Sequence, residues 1–201
     1  VLKSDLRTAS TILEWEFGDI IGHVGVRLPD NHGIAVKLLR VAQENKDEDW
    51  MMEFDFEGNK LSGTGTVPGE ASIYTQIFKA KPEVNSIVHA HAPMCIVMGL
   101  AHLKISAIHL QSSRFGEGLP VYPLPIYVSN VEDGDALVDT IGEAPGMTIN
   151  GHGIVTVGRS IDEATMNAVY MERTAKMEHA ARQMGFEGVT IEHREMLAEN
   201  R

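Results

Sequence analysis

The sequence predicts a layered α/β fold with a largely antiparallel or mixed sheet at its centre. Apolar residues at helical spacing alternate along the chain with short runs at a period of two, patterns typical of helices and strands respectively. Hairpin-like strand pairs occur near both ends, and the regular spacing of βαβ units is missing, so we expect few parallel strands. With 201 residues, of which 43% are hydrophobic, the chain is long enough to form its own core. We therefore expect one domain spanning residues 1–201.

The first part of the chain predicts one helix and then a strand pair. Two β-branched segments flank a turn rich in Pro, Asp, Asn and Gly, which favours a hairpin. In order, the predicted segments are a helix over 5–17, strands over His23–Leu28 and Gly33–Leu39, a charged loop over 44–49 and an alternating strand over 52–56.

The remainder of the chain predicts alternating helices and strands that end in one long helix. Ser160 with Glu163 three residues later forms a capping box, so the long helix should begin there and run to about Met184. The other predicted segments are a helix from Glu70 to about Lys81, a strand over Val84–Ala90, a helix over Pro93–Ala101, an extended Pro-interrupted segment over Leu119–Val128, a helix over Val131–Ile141, and strands over Met147–Ile149 and Ile154–Val157.

Composition favours a small-molecule ligand over a polyanionic partner. The formal net charge is -11 and the pI is near 5.2, whereas nucleic acids and anionic membranes require a basic face. No apolar run reaches the length of a membrane helix, and the first residues lack a signal-peptide layout. Because the sequence lacks an initiator Met, we expect a native N-terminal segment before Val1. The single cysteine, Cys95, cannot form an internal disulfide, which suits a cytoplasmic protein.

Three histidines stand where they suit a metal ion. His89 and His91 end a predicted strand, and the period of two places both imidazoles on one face. His152 lies on a Gly-flanked turn that can bend toward a neighbouring strand end. Three imidazoles leave a divalent ion with open positions, which is the catalytic pattern. The plain alternative is a chance pair of strand histidines, because a bare His-x-His motif is weak by itself.

An isolated acid, Glu70, follows a glycine-rich stretch over 63–69 and stands at a predicted helix start. In a metal site it would serve as an acid or base on carbon. Alternatively, Glu70 only stabilises the helix, since a first-turn carboxylate contributes about 0.3–1 kcal/mol through the macrodipole.

Four blocks of sequence resemble the class II aldolase/adducin family, over roughly residues 6–184. They are Pro68-Gly69-Glu70, the segment from Ala80 to Pro93, Gly151-His152-Gly153-Ile154, and the segment from Gly158 to Ala164. The resemblance implies a three-layer α/β/α sandwich around a largely antiparallel sheet, assembled as a homotetramer with active sites at subunit boundaries. It also implies that His89, His91 and His152 are the metal ligands and that Glu70 is the catalytic acid/base.

The chain departs from the sugar-phosphate aldolases of this family at the positions that bind phosphate. Those enzymes read Ser-Gly-Asn, Thr-Gly and a serine pair before the catalytic Glu, where this chain has Ile21-Gly22-His23, Leu39-Arg40-Val41 and Pro68-Gly69. They also carry a tyrosine proton donor after an Ile-His pair, where this chain has Leu110. The preceding His109 is the nearest substitute for that donor.

This sequence resembles a decarboxylase branch of the family more than it resembles the sugar-phosphate aldolases. Its members carry Gly-His-Val/Ile-Ser-Val-Arg near the first strand, which Gly22 to Arg27 resembles, with Gly25 where serine is usual. Arg27 would then hold a substrate carboxylate by a bidentate pair, and His23 would lie on the same strand face as a second substrate-binding residue. The alternative for Arg27 is a structural or solvated strand arginine.

The sequence therefore predicts a divalent-metal-dependent carbon-carbon lyase that decarboxylates a small hydroxy-substituted carboxylic acid, aromatic ones included. Zinc is the first choice of metal, with manganese, iron and cobalt also open. One alternative is a class II aldolase that cleaves a sugar phosphate or hydroxy acid. A non-catalytic adducin-like scaffold is the other, although it would be expected to lose ligands that this chain retains. No nucleic-acid or membrane partner is expected.

Overall fold

The computed structural model describes residues 2–19, 21–38, 51–63 and 66–199. Within these ranges the chain forms eight strands, six α-helices and one 3-10 helix over Leu110–Phe115. The strands are β1 (His23–Arg27), β2 (Ile34–Leu38), β3 (Met51–Phe54), β4 (Lys60–Ser62), β5 (Ser86–Ala90), β6 (Val121–Tyr122), β7 (Gly146–Ile149) and β8 (Gly153–Gly158). The α-helices are α1 (Leu2–Phe17), α2 (Ala71–Ala80), α3 (Pro93–Leu100), α4 (Val131–Ile141), α5 (Ile161–Gln183) and α6 (Ile191–Ala198). None of these helices is both long and apolar enough to cross a membrane.

All eight strands belong to one sheet, in the order β4-β3-β2-β1-β5-β8-β7-β6. Every neighbouring pair is antiparallel except β6 and β7. The expectation of a largely antiparallel sheet is thus confirmed. In the middle of the sheet, His23 of β1 pairs with His89 of β5, and His89 pairs on its other side with Val155 of β8.

Alternate strand residues face two separate cores, one on each side of the sheet. In β5, Val88 belongs to the core formed with helices α1, α3 and α5, while Ile87 belongs to the core formed with α2 and α4. The result is the three-layer α/β/α sandwich that the family resemblance implied. His89 has the parity of Ile87 and so lies on the α2 side of the sheet.

Most predicted elements are present with ends shifted by a few residues. Ser160 caps α5, accepting a hydrogen bond from the Glu163 backbone N–H at 3.1 Å. The sequence missed β4, the 3-10 helix and α6, which are short and carry weak periodicity. The charged loop predicted over 44–49 lies outside the described residues.

Helix α2 runs along strand β1 on the same face of the sheet. Four helical residues rise about 6 Å and two strand residues about 6.6 Å, so the two elements stay nearly in step. The facing pairs, from one end to the other, are Glu70 with His23, Tyr74 with Gly25, and Phe78 with Arg27. The start of α2 is therefore placed beside His23 and its end beside Arg27.

Candidate active site

His89, His91 and His152 form a cluster that could hold a metal ion. One ligand nitrogen from each ring lies within 4.8 Å of the others, and the ring centroids are 5.0–5.3 Å apart. His89 belongs to β5 and is fully buried, whereas His91 directly after β5 and His152 between β7 and β8 are partly exposed. The structure thus brings together the three predicted ligands.

The turn that carries His152 depends on its two glycines. Gly151 has a φ of 66°, a left-handed conformation that glycine adopts without steric cost. A Cβ on Gly153 would lie 2.5 Å from the Ala90 carbonyl oxygen. Glycine at this position therefore lets the start of β8 approach the end of β5, next to His89 and His91.

Hydrogen bonds to two of the rings fix which nitrogen is free. His89 Nδ1 donates to the Ile154 carbonyl at 3.0 Å, so its buried Nε2 is left as the acceptor nitrogen. His91 Nδ1 lies 3.1 Å from Asp19 Oδ2, and the same oxygen accepts from the His91 backbone N–H at 2.7 Å. Both rings therefore present Nε2 to the cluster, as a metal site requires.

Asp19 is a site residue that the sequence interpretation missed. Burial raises the pKa of the Asp19 carboxyl, but hydrogen bonds from the His91 side chain and backbone and from the Ile21 N–H hold it well below its usual range. The Asp19 contact in turn raises the pKa of His91. Asp19 precedes β1 and lies 72 residues from His91 in the chain, so only its short spacing from the Gly22-His23 pair could have drawn attention to it.

Glu70 stands at the N-cap of α2, one position before the helical turn in which it was expected, and its side chain makes no capping hydrogen bond. Instead its carboxylate faces the cluster, with Oε2 3.3 Å from His89 Nε2 and Oε1 3.4 Å from His152 Nε2. Burial raises the pKa of Glu70, but interactions with His89, His152 and His23 outweigh it and lower the pKa to about 2. The carboxylate is ionised at neutral pH.

His23 lies against the same cluster. Its ring stacks on that of His89, with centroids 5.9 Å apart, and makes a T-shaped contact with the Tyr74 ring, with centroids 6.2 Å apart. Burial, followed by the neighbouring His89, lowers the pKa of His23 to about 3, so the imidazole is neutral. Tyr74 has room here because a Cβ on Gly25 would lie only 2.4 Å from its ring.

Arg27, expected to hold a substrate carboxylate, lies away from the histidine cluster in this structure. It is four residues from His23 along β1, about 13 Å at 3.3 Å per residue. Its guanidinium donates to the carbonyls of Phe78, Lys81 and Val84 and to the Asn31 side chain, at 2.7–3.2 Å. Carbonyls at a helix C-terminus lack helical partners, and Arg27 satisfies two of them.

Replacing Arg27 with lysine is therefore expected to lower stability and to leave substrate affinity unchanged. Lysine cannot reach several carbonyls with a planar fork, and we expect the free energy of unfolding in urea to fall by about 1–3 kcal/mol. Arg173→Lys is the matched control, because Arg173 makes an exposed ion pair with Glu16 of little expected value. A raised KM with unchanged stability would contradict this assignment.

His109 also lies away from the cluster in this chain. It precedes the 3-10 helix, where its Nδ1 contacts Gln111 Oε1 and its Nε2 contacts Thr174 Oγ1, each at 3.0 Å. Both ring nitrogens are therefore engaged by residues other than Glu70 and the three histidines.

Buried polar atoms without hydrogen-bond partners concentrate at the cluster. Such atoms are uncommon in folded proteins and mark places where a bound group completes the hydrogen bonding. Among the described residues they include His23 Nδ1, Glu70 Oε1, Tyr74 Oη, His89 Nε2 and His152 Nδ1. A donor set of three imidazoles suits a divalent transition metal, and His89 Nε2 is buried without a hydrogen-bond partner, so these residues fit a metal ion.

Comparison with known proteins agrees with this geometry. Residues 15–179 match the family described as the Class II Aldolase and Adducin N-terminal domain, and the chain belongs to that family. It is 27% identical to the 3,4-dihydroxyphthalate decarboxylase of Arthrobacter keyseri over 170 residues, 78% of this chain and 68% of that protein. The same enzyme from Rhodococcus jostii is 25% identical, over 79% and 70% of the two chains.

A solved structure of L-fuculose 1-phosphate aldolase shares the fold. It superposes with a TM-score of 0.84 at 18% identity, and the match covers 98% of this chain and 94% of the aldolase. Aldolases and decarboxylases are both lyases, and this chain is an enzyme, a lyase of the class II aldolase family.

Proposed function

We propose that this protein is a divalent-metal-dependent decarboxylase of hydroxy-substituted aromatic carboxylic acids. The observation that carries the proposal is the position of the Glu70 carboxylate, whose oxygens lie 3.3–3.4 Å from two nitrogens of the histidine cluster, where it can accept and return a proton. The similarity to two 3,4-dihydroxyphthalate decarboxylases supports an aromatic substrate.

His89, His91 and His152 would hold the metal, with Zn²⁺ as the first choice and Mn²⁺, Fe²⁺ or Co²⁺ as alternatives. When bound, the ion supplies a Lewis acid for the substrate oxygen beside the reacting carbon. Asp19 keeps His91 Nε2 available, and the Ile154 carbonyl does the same for His89.

Glu70 would move the proton. Decarboxylation breaks the bond between the ring carbon and the carboxylate, CO2 departs, and the electron pair stays on the ring carbon. The ionised Glu70 first takes the proton of the substrate hydroxyl and then gives it to that carbon, while the hydroxyl oxygen regains a proton from water. A positioned acid/base of this kind contributes about 10²–10⁴-fold to a rate.

His23 would contact the substrate, because its neutral ring lies beside the cluster with Nδ1 unpartnered. The proton-donor role proposed for His109 would come from a second copy of the chain, because within one chain this ring contacts Thr174 of α5, on the side of the sheet opposite α2 and Glu70. Assembly as a homotetramer with sites at subunit boundaries, implied by the family resemblance, would provide that copy. A cytoplasmic location is supported by the one, buried cysteine.

Aldol cleavage of a sugar phosphate or hydroxy acid is the second candidate, favoured by the fold shared with L-fuculose 1-phosphate aldolase. Aldol cleavage also leaves an electron pair on carbon, and Glu70 could act as the acid/base in that reaction as well. Pro68 and Gly69, directly before Glu70, offer no side-chain donors to a phosphate, and this favours decarboxylation. An adducin-like scaffold is disfavoured because all four predicted site residues are retained.

A substrate panel tests the proposal directly. Protein purified without chelator is analysed for metal and then incubated with dihydroxyphthalates, hydroxybenzoates, sugar phosphates and aliphatic hydroxy acids, while CO2 and aldehyde are measured separately. We expect stoichiometric divalent metal and CO2 release from an aromatic acid that carries a hydroxyl beside its carboxyl group. Aldehyde formation from a sugar phosphate, without CO2 release from any acid, would contradict it.

A further inference from the structure

Tyr127 is a large aromatic side chain beside Gly69, the residue that precedes Glu70. Its side chain is 61% exposed, yet its hydroxyl meets the backbone directly before Glu70, because a Cβ built on Gly69 would lie 2.0 Å from Tyr127 Oη. None of the hydrogen bonds found among the described residues uses this hydroxyl. The residue is therefore largely open to solvent while its hydroxyl lies against Gly69, one residue before Glu70.

The segment that carries Tyr127 also packs beside the third metal-ligand candidate. A Cβ on Gly151 would lie 3.4 Å from Pro125 Cβ, and the Ile126 backbone is among the groups that act on the pKa of His152. Tyr127 is thus positioned between the turn that carries His152 and the start of α2.

Backbone hydrogen bonds between residues close in sequence, together with the burial of Val128, hold the segment around Tyr127 in place. The Ile126 N–H donates to the Leu124 carbonyl at 3.0 Å, and the Ser129 N–H donates to the Tyr127 carbonyl at 2.9 Å. The next residue, Val128, is fully buried in the core beneath α2 and α4. Because the backbone at Tyr127 is fixed, only the side-chain torsions have to be ordered when the ring contacts a ligand, which lowers the entropic cost of binding.

We propose that Tyr127 determines specificity for aromatic substrates, its ring covering the substrate ring and its hydroxyl donating to a substrate oxygen that faces Gly69. This inference rests on the proposed function. Aromatic rings associate through their faces and edges, and a tyrosine adds a hydrogen-bond donor to that contact. An aliphatic sugar phosphate offers no ring face to Tyr127, so the residue selects between the two candidate substrate classes.

Gly69 provides a second, independent way to move Tyr127. Its φ lies outside the left-handed region, so alanine is compatible with the backbone at this position. The added methyl group would instead collide with the Tyr127 hydroxyl at the far end of a flexible, exposed side chain. Gly69→Ala should therefore displace Tyr127 and mimic its loss.

The experiment uses the metal-loaded enzyme and two readouts, steady-state kinetics with the active aromatic acid and calorimetric binding of 3,4-dihydroxybenzoate as a probe. Loss of the hydroxyl in Tyr127→Phe should raise KM and the probe Kd about 3- to 10-fold, and Tyr127→Ala about 10- to 100-fold. For both variants kcat should change less than KM, and metal content should stay at the wild-type level. Tyr170→Phe, outside the site, is the matched control.

The double variant makes the test specific. Gly69→Ala should raise the probe Kd in the wild-type background and have almost no effect in the Tyr127→Ala background, because the two changes act through one contact. Wild-type affinity in Tyr127→Ala, or additive effects of the two substitutions, would overturn the assignment while leaving the decarboxylase proposal intact. A wild-type enzyme that neither binds the probe nor releases CO2 from aromatic acids would overturn both.

Discussion

Replacing Glu70 with glutamine is expected to lower kcat by about 10²–10⁴-fold while the metal content stays close to that of the wild-type protein. Glutamine nearly reproduces the shape of the carboxylate, and its amide oxygen can still face His89 or His152. It cannot carry a proton between substrate oxygen and carbon. The measurement pairs kcat on the active substrate with elemental analysis of the same preparation.

Glu132→Gln is the matched control for this variant. Glu132 lies in the first turn of α4 and is exposed. Its substitution therefore shows the effect expected for Glu70→Gln if Glu70 only stabilised the start of a helix. We expect this control to retain wild-type kcat and to lose at most about 1 kcal/mol of stability. If Glu70→Gln behaves like Glu132→Gln, the acid/base role is excluded.

Loss of metal is the expected result of His91→Ala. Removing one of three imidazoles should weaken binding by more than 100-fold, since changes to residues that merely support a ligand already cost about 10–100-fold. The fold should survive, because His91 lies after the end of β5 and is partly exposed. Metal content after dialysis, together with urea unfolding, separates loss of the ion from loss of the fold.

Asp19→Asn should lower metal affinity, but by less than His91→Ala does. Asparagine keeps an oxygen for the hydrogen bonds from His91 but removes the negative charge that supports the ring, so we expect metal affinity to fall by about 10–100-fold. His179→Ala is the neutral control, because the hydrogen bond that this ring makes among the described residues joins it to Gln183 on its own helix. Full metal occupancy in His91→Ala would remove His91 from the ligand set.

Parts of the site could be predicted from local pattern alone. The period of two predicted that His89 and His91 share one face at the end of a strand, and the glycines around His152 indicated a sharp turn. Both inferences are local, because the alternation of a strand and the conformational freedom of glycine depend on only a few neighbouring residues. The grouping of these histidines with Glu70 came from the family resemblance.

Arg27 shows where local pattern is insufficient. His23 and Arg27 share a face of β1, and parity alone allowed both to contact one substrate. Helix α2 extends along the strand, with its first residues beside His23 and its last carbonyls beside Arg27. Alternation determines the face that a side chain occupies but carries no information about which end of a packed helix will cover it.

The sequence by itself determined the layered α/β class, most of the long elements and the residue types of the candidate metal site, because amphipathic periodicity and turn chemistry are properties of short segments. Only the tertiary structure decided that Asp19 supports His91, that Tyr127 reaches Gly69 and that Arg27 closes the far end of α2. Each of these contacts joins segments distant in the chain. The first exists because the sheet places β1 beside β5, and the other two because α2 packs along β1 and the segment after β6 lies beside the start of α2.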